Sequence, residues 1–167
     1  PTITAGLCAS DTARDILKLA VIERHGRAGT IGLAFVRGFK LERGAIASTV
    51  GHDAHNLTVL GTNDDDMLAA AHAVAEAGGG QAVTLNGKPL AVLPLPIAGL
   101  MSDQPPQTVI AQQAALLEAA RQLGCPHHDP FMPLSFMPLP VIPSLKLSDR
   151  GLVDVDRFEI VPLSLAP

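Results

Sequence analysis

Short apolar runs separated by glycines dominate the first part of the chain. Four of these runs occupy residues 16–25, 30–36, 45–50 and 57–61. Each run is short and enriched in Val, Ile, Leu and Ala, and this pattern is typical of strands joined by tight turns. We therefore predict four β-strands before residue 62.

Two later segments have the periodicity of helices. Thr62 or Asn63 can cap the first, three aspartates follow, and apolar residues recur at helical spacing until a run of glycines begins at Gly78. Aspartates in a first turn interact favourably with the helix dipole, and glycine commonly ends a helix. A second apolar stripe spans residues 107–123 and stops at Gly124. We predict one helix in each segment.

A hairpin is predicted between the two helices. The pair Asn86-Gly87 suits a type I′ turn, because both central residues of that turn need positive φ. This turn joins apolar arms at residues 81–85 and 88–93. Pro89 has no N–H to donate, so the second arm is expected at an edge of the sheet.

The chain beyond residue 125 is rich in proline. The prolines of this segment are Pro126, Pro130, Pro133, Pro138, Pro140 and Pro143. Because proline disrupts helix interiors and inner strands, we predict no helix here but an extended segment that wraps the domain. Residues 158–163 are predicted to form a last strand.

The order of these elements predicts an α+β fold. A largely antiparallel sheet is expected, flanked by two main helices and followed by a proline-rich extended C-terminal wrap. The first residues are small and polar, so we expect residues 1–14 to be a disordered or linker segment. Residues 15–167 are predicted to form one domain, which the chain length also favours.

The composition narrows the range of partners. Hydrophobic residues make up 47% of the chain, charged residues 17%, and the mean hydropathy is +0.30. These values are apolar for a soluble monomer, so we expect part of the surface to be covered by another domain or by a second copy in a homo-oligomer. A net charge of −4 and an aromatic content of 3% argue against a nucleic-acid partner.

The same sequence gives no sign of a membrane partner. No apolar run approaches the roughly 20 residues that a membrane-spanning helix needs. The two cysteines lie far apart in a chain of ordinary size. We interpret them as reduced thiols and expect a cytoplasmic protein.

The most informative polar cluster follows the third predicted strand. His52, Asp53, His55 and Asn56 stand together directly after an apolar run. Histidine and carboxylate side chains can move protons or bind a metal, and a spacing of three can bring His52 and His55 to one face of a turn. The same residues can instead hold a turn together by satisfying backbone groups. Both interpretations stay open from the residues alone.

Two further polar positions are candidates for the same site. His25 ends the first predicted strand, and Asp103 follows another apolar stretch. The alternatives are an exposed charged strand end for His25 and a simple turn before Pro105 for Asp103. The adjacent pair His127-His128 lies between prolines and is interpreted as a solvated loop.

Three segments of this chain resemble the C-terminal domain of prokaryotic adenine deaminases. The segments are residues 15–25, DILKLAVIERH; residues 44–56, GAIASTVGHDAHN, running on to 61–64; and residues 95–103, LPIAGLMSD. Residues 130–132 and 139–143 extend the similarity over nearly the whole chain beyond the first dozen residues. These motifs are long and unusual, so the resemblance is specific.

The resemblance implies hydrolytic removal of the 6-amino group of adenine by a metal-dependent amidohydrolase, giving hypoxanthine and ammonia. The metal ligands of that family lie in a (β/α)₈ barrel of roughly 250 residues, which this chain does not contain. We therefore expect a divalent metal (manganese, iron or zinc) in a barrel domain of the same protein, and no cofactor bound by this domain. The fragment alone is expected to be inactive.

The resemblance also gives each candidate residue an expected role. Those expected to assist catalysis are His52, Asp53 and His55, and those expected to bind adenine are Asn56, His25 and Asp103. Two alternatives stay open. The domain is a structural or oligomerisation module with no catalytic contribution, or it is a small metalloprotein whose ligands are His52, Asp53 and His55.

Overall fold

The computed structural model describes residues 1–4, 7–26 and 29–164. The strands are β1 (Thr2–Thr4), β2 (Leu7–Ala9), β3 (Leu17–Ile22), β4 (Ile31–Val36), β5 (Ala45–Ser48), β6 (Leu57–Gly61), β7 (Gly80–Leu85), β8 (Lys88–Pro94), β9 (Leu145–Ser148), β10 (Gly151–Asp154) and β11 (Glu159–Val161). The helices are α1 (Asp64–Glu76), α2 (Pro106–Gln122) and α3 (Phe131–Phe136). In the part of the chain described, no helix combines the length and the apolar character needed to cross a membrane.

A six-stranded antiparallel sheet organises the domain, in the order β4-β3-β6-β5-β7-β8. This arrangement confirms the predicted α+β fold with a largely antiparallel sheet. The four predicted strands are all present, although the first and third end earlier than expected, at Ile22 and Ser48. The hairpin turns at Asn86-Gly87, and Pro89 lies in β8 at the edge of the sheet, as predicted.

One face of the sheet is built from small residues and lies against α1. Its sheet residues are Ala20, Ala45, Ala47, Leu57, Val59 and Ala82, and α1 contributes Met67, Ala70, Ala73 and Val74. The small side chains allow the helix to approach closely. At Gly61 a Cβ would collide with Met67 and Ala45, so glycine is required there by the close packing.

The opposite face carries large aliphatic residues and a thicker cover. Leu17, Leu19, Val21, Ile46 and Leu60 point to this side from the inner strands. They pack with buried residues of α2, α3 and the small three-stranded sheet β11-β10-β9; the residues are Leu116, Ala119, Ala120, Phe131, Leu134 and Leu147. The two main helices therefore lie on opposite faces of one sheet.

The prediction that the proline-rich segment contains no helix is wrong. Helix α3 spans Phe131–Phe136 and includes Pro133. Proline is compatible with a first helical turn, where the missing N–H would have no partner within the helix. The side chain of Asp129 stabilises this turn by accepting hydrogen bonds from the N–H groups of Phe131 (2.9 Å) and Met132 (3.3 Å). The expectation of an extended wrap around the domain stays a prediction.

The end of the chain matches one expectation and adds an unexpected hairpin. Strand β11 lies within the predicted residues 158–163 and pairs with β10, which confirms the predicted last strand. The hairpin β9–β10 was not predicted from the sequence. It lies against β4 so closely that a Cβ on Gly32 would collide with the carbonyl oxygen of Ser148.

The N-terminal residues contain short elements of secondary structure. Strands β1 and β2 pair with each other, and a single 3₁₀ turn spans Thr12–Arg14. The carboxylate of Asp11 accepts hydrogen bonds from the Thr2 hydroxyl and from the backbone and side chain of Arg14. The expectation that residues 1–14 serve as a disordered or linker segment stays a prediction.

We predict that Asp66→Ala destabilises the domain by about 2–3 kcal/mol, because a hydrogen bond to a charged group contributes about 1.5–3 kcal/mol and this carboxylate accepts more than one. Asp66 is buried, and its carboxylate accepts hydrogen bonds from the Gly87 N–H (2.7 Å) and the Asn63 amide (2.8 Å). It thereby links the start of α1 to the β7–β8 turn. Urea denaturation measures the change, and exposed Asp65→Ala is the matched control, expected to change stability by no more than about 0.5 kcal/mol. Equal losses in the two variants would contradict the prediction.

We predict that the two free cysteines react with iodoacetamide at very different rates. Cys8 is exposed, whereas Cys125 is only 3% exposed and packs in the core behind α2. Burial raises the pKa of the Cys125 thiol, which lowers the fraction of reactive thiolate. Peptide mass spectrometry should find Cys8 alkylated in the folded protein and Cys125 only after denaturation. Alkylation of both at one rate would show that the core around Cys125 opens.

Candidate functional site

The loop between β5 and β6 carries the predicted polar cluster. His52 and Asp53 are exposed, His55 is partly buried, and Asn56 is 6% exposed at the point where β6 begins. The Asn56 amide donates a hydrogen bond to the carboxylate of Asp149 (3.1 Å) in the turn between β9 and β10. The loop is thus fixed at its Asn56 end and presents its other polar residues near the surface.

His52 is held by α3. Its ring stacks on Phe136, with 3.8 Å between ring centroids and 23° between ring planes. Its Nδ1 lies 3.3 Å from the carbonyl oxygen of Ser135. Because a carbonyl only accepts, Nδ1 must carry the proton, and neutral His52 therefore keeps Nε2 as an acceptor.

His55 has the opposite protonation pattern. Its Nδ1 accepts a hydrogen bond from the Gly51 N–H at 3.4 Å, so the proton of the neutral ring lies on Nε2. The backbone of His55 has φ +51°, a left-handed conformation that non-glycine residues rarely adopt. The tight turn that this conformation produces closes the loop and directs the His55 carbonyl towards Arg24.

Arg24 brings together the three segments that carry the family resemblance. It follows β3 in the first segment, and its Nε donates a hydrogen bond to the His55 carbonyl in the second (2.5 Å). Its Nη2 donates to the Ala98 carbonyl in the third (2.7 Å), where a Cβ on Gly99 would crowd the guanidinium. Burial lowers the pKa of Arg24 from its ordinary value. Arg24 was not among the predicted site residues, and its position as a charged residue at the end of an apolar strand was the only signal in the sequence.

His25 joins the cluster through a backbone contact. Its Nε2 lies 2.8 Å from the Ala54 carbonyl, so Nε2–H donates and Nδ1 of the neutral ring can accept. A cleft of about 360 Å³ opens here, lined by Glu23, His25, Thr30, Ala54, Asn56, Asp149 and Arg150. Within the described residues, the buried Oδ1 atom of Asn56 has no hydrogen-bond partner. The structure therefore places His25 and Asn56 in one cleft.

Asp103 lies apart from these residues in the contacts that the structure shows. It is exposed, and its carboxylate accepts a hydrogen bond from the neighbouring Gln104 side chain (2.9 Å). The Ser102 hydroxyl accepts from the Gln104 N–H (3.1 Å), which makes a local turn. These contacts match the turn interpretation, and the binding of adenine by Asp103 stays a prediction.

No metal-binding constellation is formed by residues 1–4, 7–26 and 29–164. No group of three or more His, Cys, Asp or Glu side chains there is arranged to hold an ion. His52 is stacked on Phe136 and His55 accepts from a backbone N–H, so each has a separate environment. Asp53 is exposed and makes no hydrogen bond or ion pair to another described residue. The arrangement does not support a metal site built from these three residues.

The second histidine-containing loop has a structural explanation. His127 lies edge-on to Phe39, with 5.8 Å between centroids, and its Nε2 is 2.8 Å from the Gly38 carbonyl. His128 is exposed. The Asp129 carboxylate accepts hydrogen bonds from the first turn of α3. This loop therefore connects the proline-rich segment to the turn after β4.

Comparison with known proteins gives one consistent family. A family model described as the adenine deaminase C-terminal domain matches residues 1–159. An adenine deaminase of Desulfatibacillum aliphaticivorans is 56% identical over 158 residues, covering 95% of this chain and 28% of the relative. One from Oleidesulfovibrio alaskensis is 53% identical over 163 residues, covering 98% of this chain and 29% of the relative. Adenine deaminase 1 of Rhizobium etli is 53% identical over 151 residues, covering 90% of this chain and 27% of the relative.

The comparisons confirm the resemblance, and they limit what it covers. The match begins at residue 1, so the N-terminal hairpin β1–β2 is inside the matched region. The chain spans little more than a quarter of the length of these curated relatives. By this match over residues 1–159, the chain belongs to the adenine deaminase C-terminal domain family.

Proposed function

We propose that this chain works as the C-terminal domain of an adenine deaminase that hydrolyses adenine to hypoxanthine and ammonia. In this proposal the domain packs on a metal-bearing barrel of the same protein, and the loop at residues 51–56 borders the active site. The observation that carries the proposal is the pair of hydrogen bonds from Arg24. These bonds join the three segments that resemble adenine deaminases, and one of them holds that loop through the His55 carbonyl. A junction of this kind fixes the position of polar side chains that face another domain.

The loop offers complementary proton-transfer groups. In their neutral forms, His52 has an acceptor at Nε2 and His55 has a donor at Nε2. Asp53 adds an exposed carboxylate between them in the sequence. Removal of an amino group from adenine requires protons to be moved to the ring and to the leaving ammonia. Histidines held in fixed orientation are suited to relaying those protons at the mouth of the site.

The family implies a divalent metal. The described residues of this chain form no group that could hold such an ion, and His52 and His55 have separate surroundings. We therefore assign the metal to the barrel. The contribution of this chain is limited to orienting groups and holding protons at the ring nitrogens of His52 and His55.

A structural role is the second candidate, and a specific observation favours it. The ring of His52 stacks on Phe136 and joins the loop to α3, while the His55 carbonyl is tied to β3 through Arg24. Under this alternative the polar cluster stabilises the domain, and adenine turnover depends on other residues. Substitutions that separate stacking from proton transfer distinguish the two candidates.

We predict that His52→Phe in the full-length enzyme lowers kcat/KM for adenine by about tenfold or more, since a positioned general acid or base typically contributes 10²–10⁴-fold. The phenyl ring preserves stacking on Phe136 and removes both ring nitrogens. His52→Ala removes both features and should lose stability as well as activity. Spectrophotometry of the conversion of adenine to hypoxanthine measures the rate, and thermal melting measures stability.

The control for this series is His128→Ala, because His128 is an exposed histidine outside the loop. It should leave kcat/KM and the melting temperature unchanged. If His52→Phe keeps full activity while His52→Ala melts at lower temperature, the side chain serves packing alone. That result would assign His52 to the structural alternative.

We predict that Arg24→Ala destabilises the domain by about 2 kcal/mol, because two hydrogen bonds from a charged donor to backbone carbonyls are lost. Arg24→Lys should recover only part of this, since a single ammonium replaces a planar group that donates from Nε and Nη2 in different directions. Urea denaturation gives the free energy of unfolding of both variants. The matched control is exposed Arg121→Ala on α2, and a loss as large as that of Arg24→Ala would contradict the assigned role.

A further inference from the structure

We propose that the uncovered half of the α1-side sheet face is the surface on which the remainder of the adenine deaminase chain docks. We call this surface the β4 groove; it is formed by Ile31 and Leu33 of β4, Ala20 and Ile22 of β3, and Leu68 of α1. The inference rests on the proposed function, because it identifies the surface that meets the rest of that enzyme.

The groove exists because α1 covers only part of the sheet. The helix packs over β5 to β8, while β3 and β4 extend beyond it. Residues of β4 alternate between the two faces, so Gly32 and Ala34 are buried under the β9–β10 hairpin. Ile31 and Leu33 point the other way and are 57% and 51% exposed.

The exposed apolar side chains form one continuous depression. Leu68 on α1 is 59% exposed and lines the same groove, whose volume is about 380 Å³. At one end Lys18 forms an ion pair with Asp64 at 2.5 Å, which gives the groove a polar rim. An apolar centre with a charged rim is the usual composition of a protein interface.

The position of the groove favours the rest of the chain as its occupant. At the Lys18 end it adjoins a cleft lined by Leu7 and Cys8 of β2, and the two depressions share Lys18 and Asp64. The N-terminal hairpin therefore borders the groove, and Leu7 is itself 73% exposed. In the relatives most of the length lies outside the matched part, and the family description places that part at the C-terminus. The preceding domain would join the chain beside the groove.

The other end of the groove lies at the end of the sheet that carries the candidate site. Strand register pairs Ile31 with Ile22, and Ile22 with Leu57, the residue after Asn56. Thr30, the neighbour of Ile31, lines the cleft that contains His25 and Asn56. Its hydroxyl and the Asn56 amide both donate to Asp149, so this cleft opens on the hairpin side of the sheet. A domain seated in the groove would therefore extend from the N-terminal hairpin to the end of β3, where Arg24 holds the loop proposed to border the active site.

Cysteine protection in the full-length protein tests the proposal. Leu33→Cys and Leu68→Cys are introduced singly, with Ile110→Cys as control because Ile110 is 68% exposed on α2. Alkylation by iodoacetamide is followed at each site by peptide mass spectrometry and normalised to the denatured protein. We expect positions 33 and 68 to react at least about tenfold more slowly than position 110, since the centre of an interface excludes water. Equal rates at the three positions would overturn the proposal.

Two further measurements separate the other outcomes. Sedimentation of the chain alone, followed by alkylation of the same cysteine variants, tests whether a second copy occupies the β4 groove. Protection of positions 33 and 68 that increases with the concentration of the chain alone would overturn the proposal. Assay of the unsubstituted full-length protein with adenine tests the proposed function independently. An active enzyme with accessible positions 33 and 68 refutes only the docking surface, whereas an inactive one refutes the proposed function itself.

Discussion

Burial of the inner strands on both faces is the constraint on which the rest of the structure depends. Strands β5 and β6 are buried along their whole length, so each face of the sheet must be covered. Large aliphatic side chains on one face need the thick layer of α2, α3 and the small sheet, whereas alanines on the other allow α1 to lie close. The same division explains the β4 groove, because one helix cannot cover a sheet of six twisted strands.

The candidate site depends on a second interaction. Two backbone carbonyl oxygens accept hydrogen bonds from the side chain of Arg24. A turn with a left-handed His55 leaves its carbonyl without a partner in the strand ladder, and the Ala98 carbonyl lies in another tight turn with φ +58°. The His55 carbonyl is partly buried and therefore needs a donor, whereas Ala98 is exposed. A guanidinium supplies two at different angles, so one side chain holds two irregular segments against the end of β3.

Much of the fold could be predicted from local sequence signals, and the failures are informative. Strands β3 to β8, helix α1 and the Asn86-Gly87 turn follow from periodicity, capping and turn chemistry within a few residues, whereas β1, β2, β9 and β10 were not predicted. Helix α3 does not, since it depends on burial of Phe131 and Leu134 and on the distant ring of His52. The position of the polar cluster could be predicted from the sequence, but the hydrogen bonds by which Arg24 holds this cluster in place could not. The partners of Arg24 lie 31 and 74 positions along the chain, beyond the reach of any pattern within a segment.

The structural and catalytic roles considered for the loop use different atoms, and so they do not exclude each other. Stacking on Phe136 uses the ring face of His52, and contact with Ser135 uses Nδ1. Both leave Nε2 available, and both fix the direction in which it points. A histidine anchored in this way loses little side-chain entropy when it meets a substrate, because the ordering is already complete in the folded domain. The packing that favours a structural role is therefore also the preorganisation that proton transfer at a domain boundary would require.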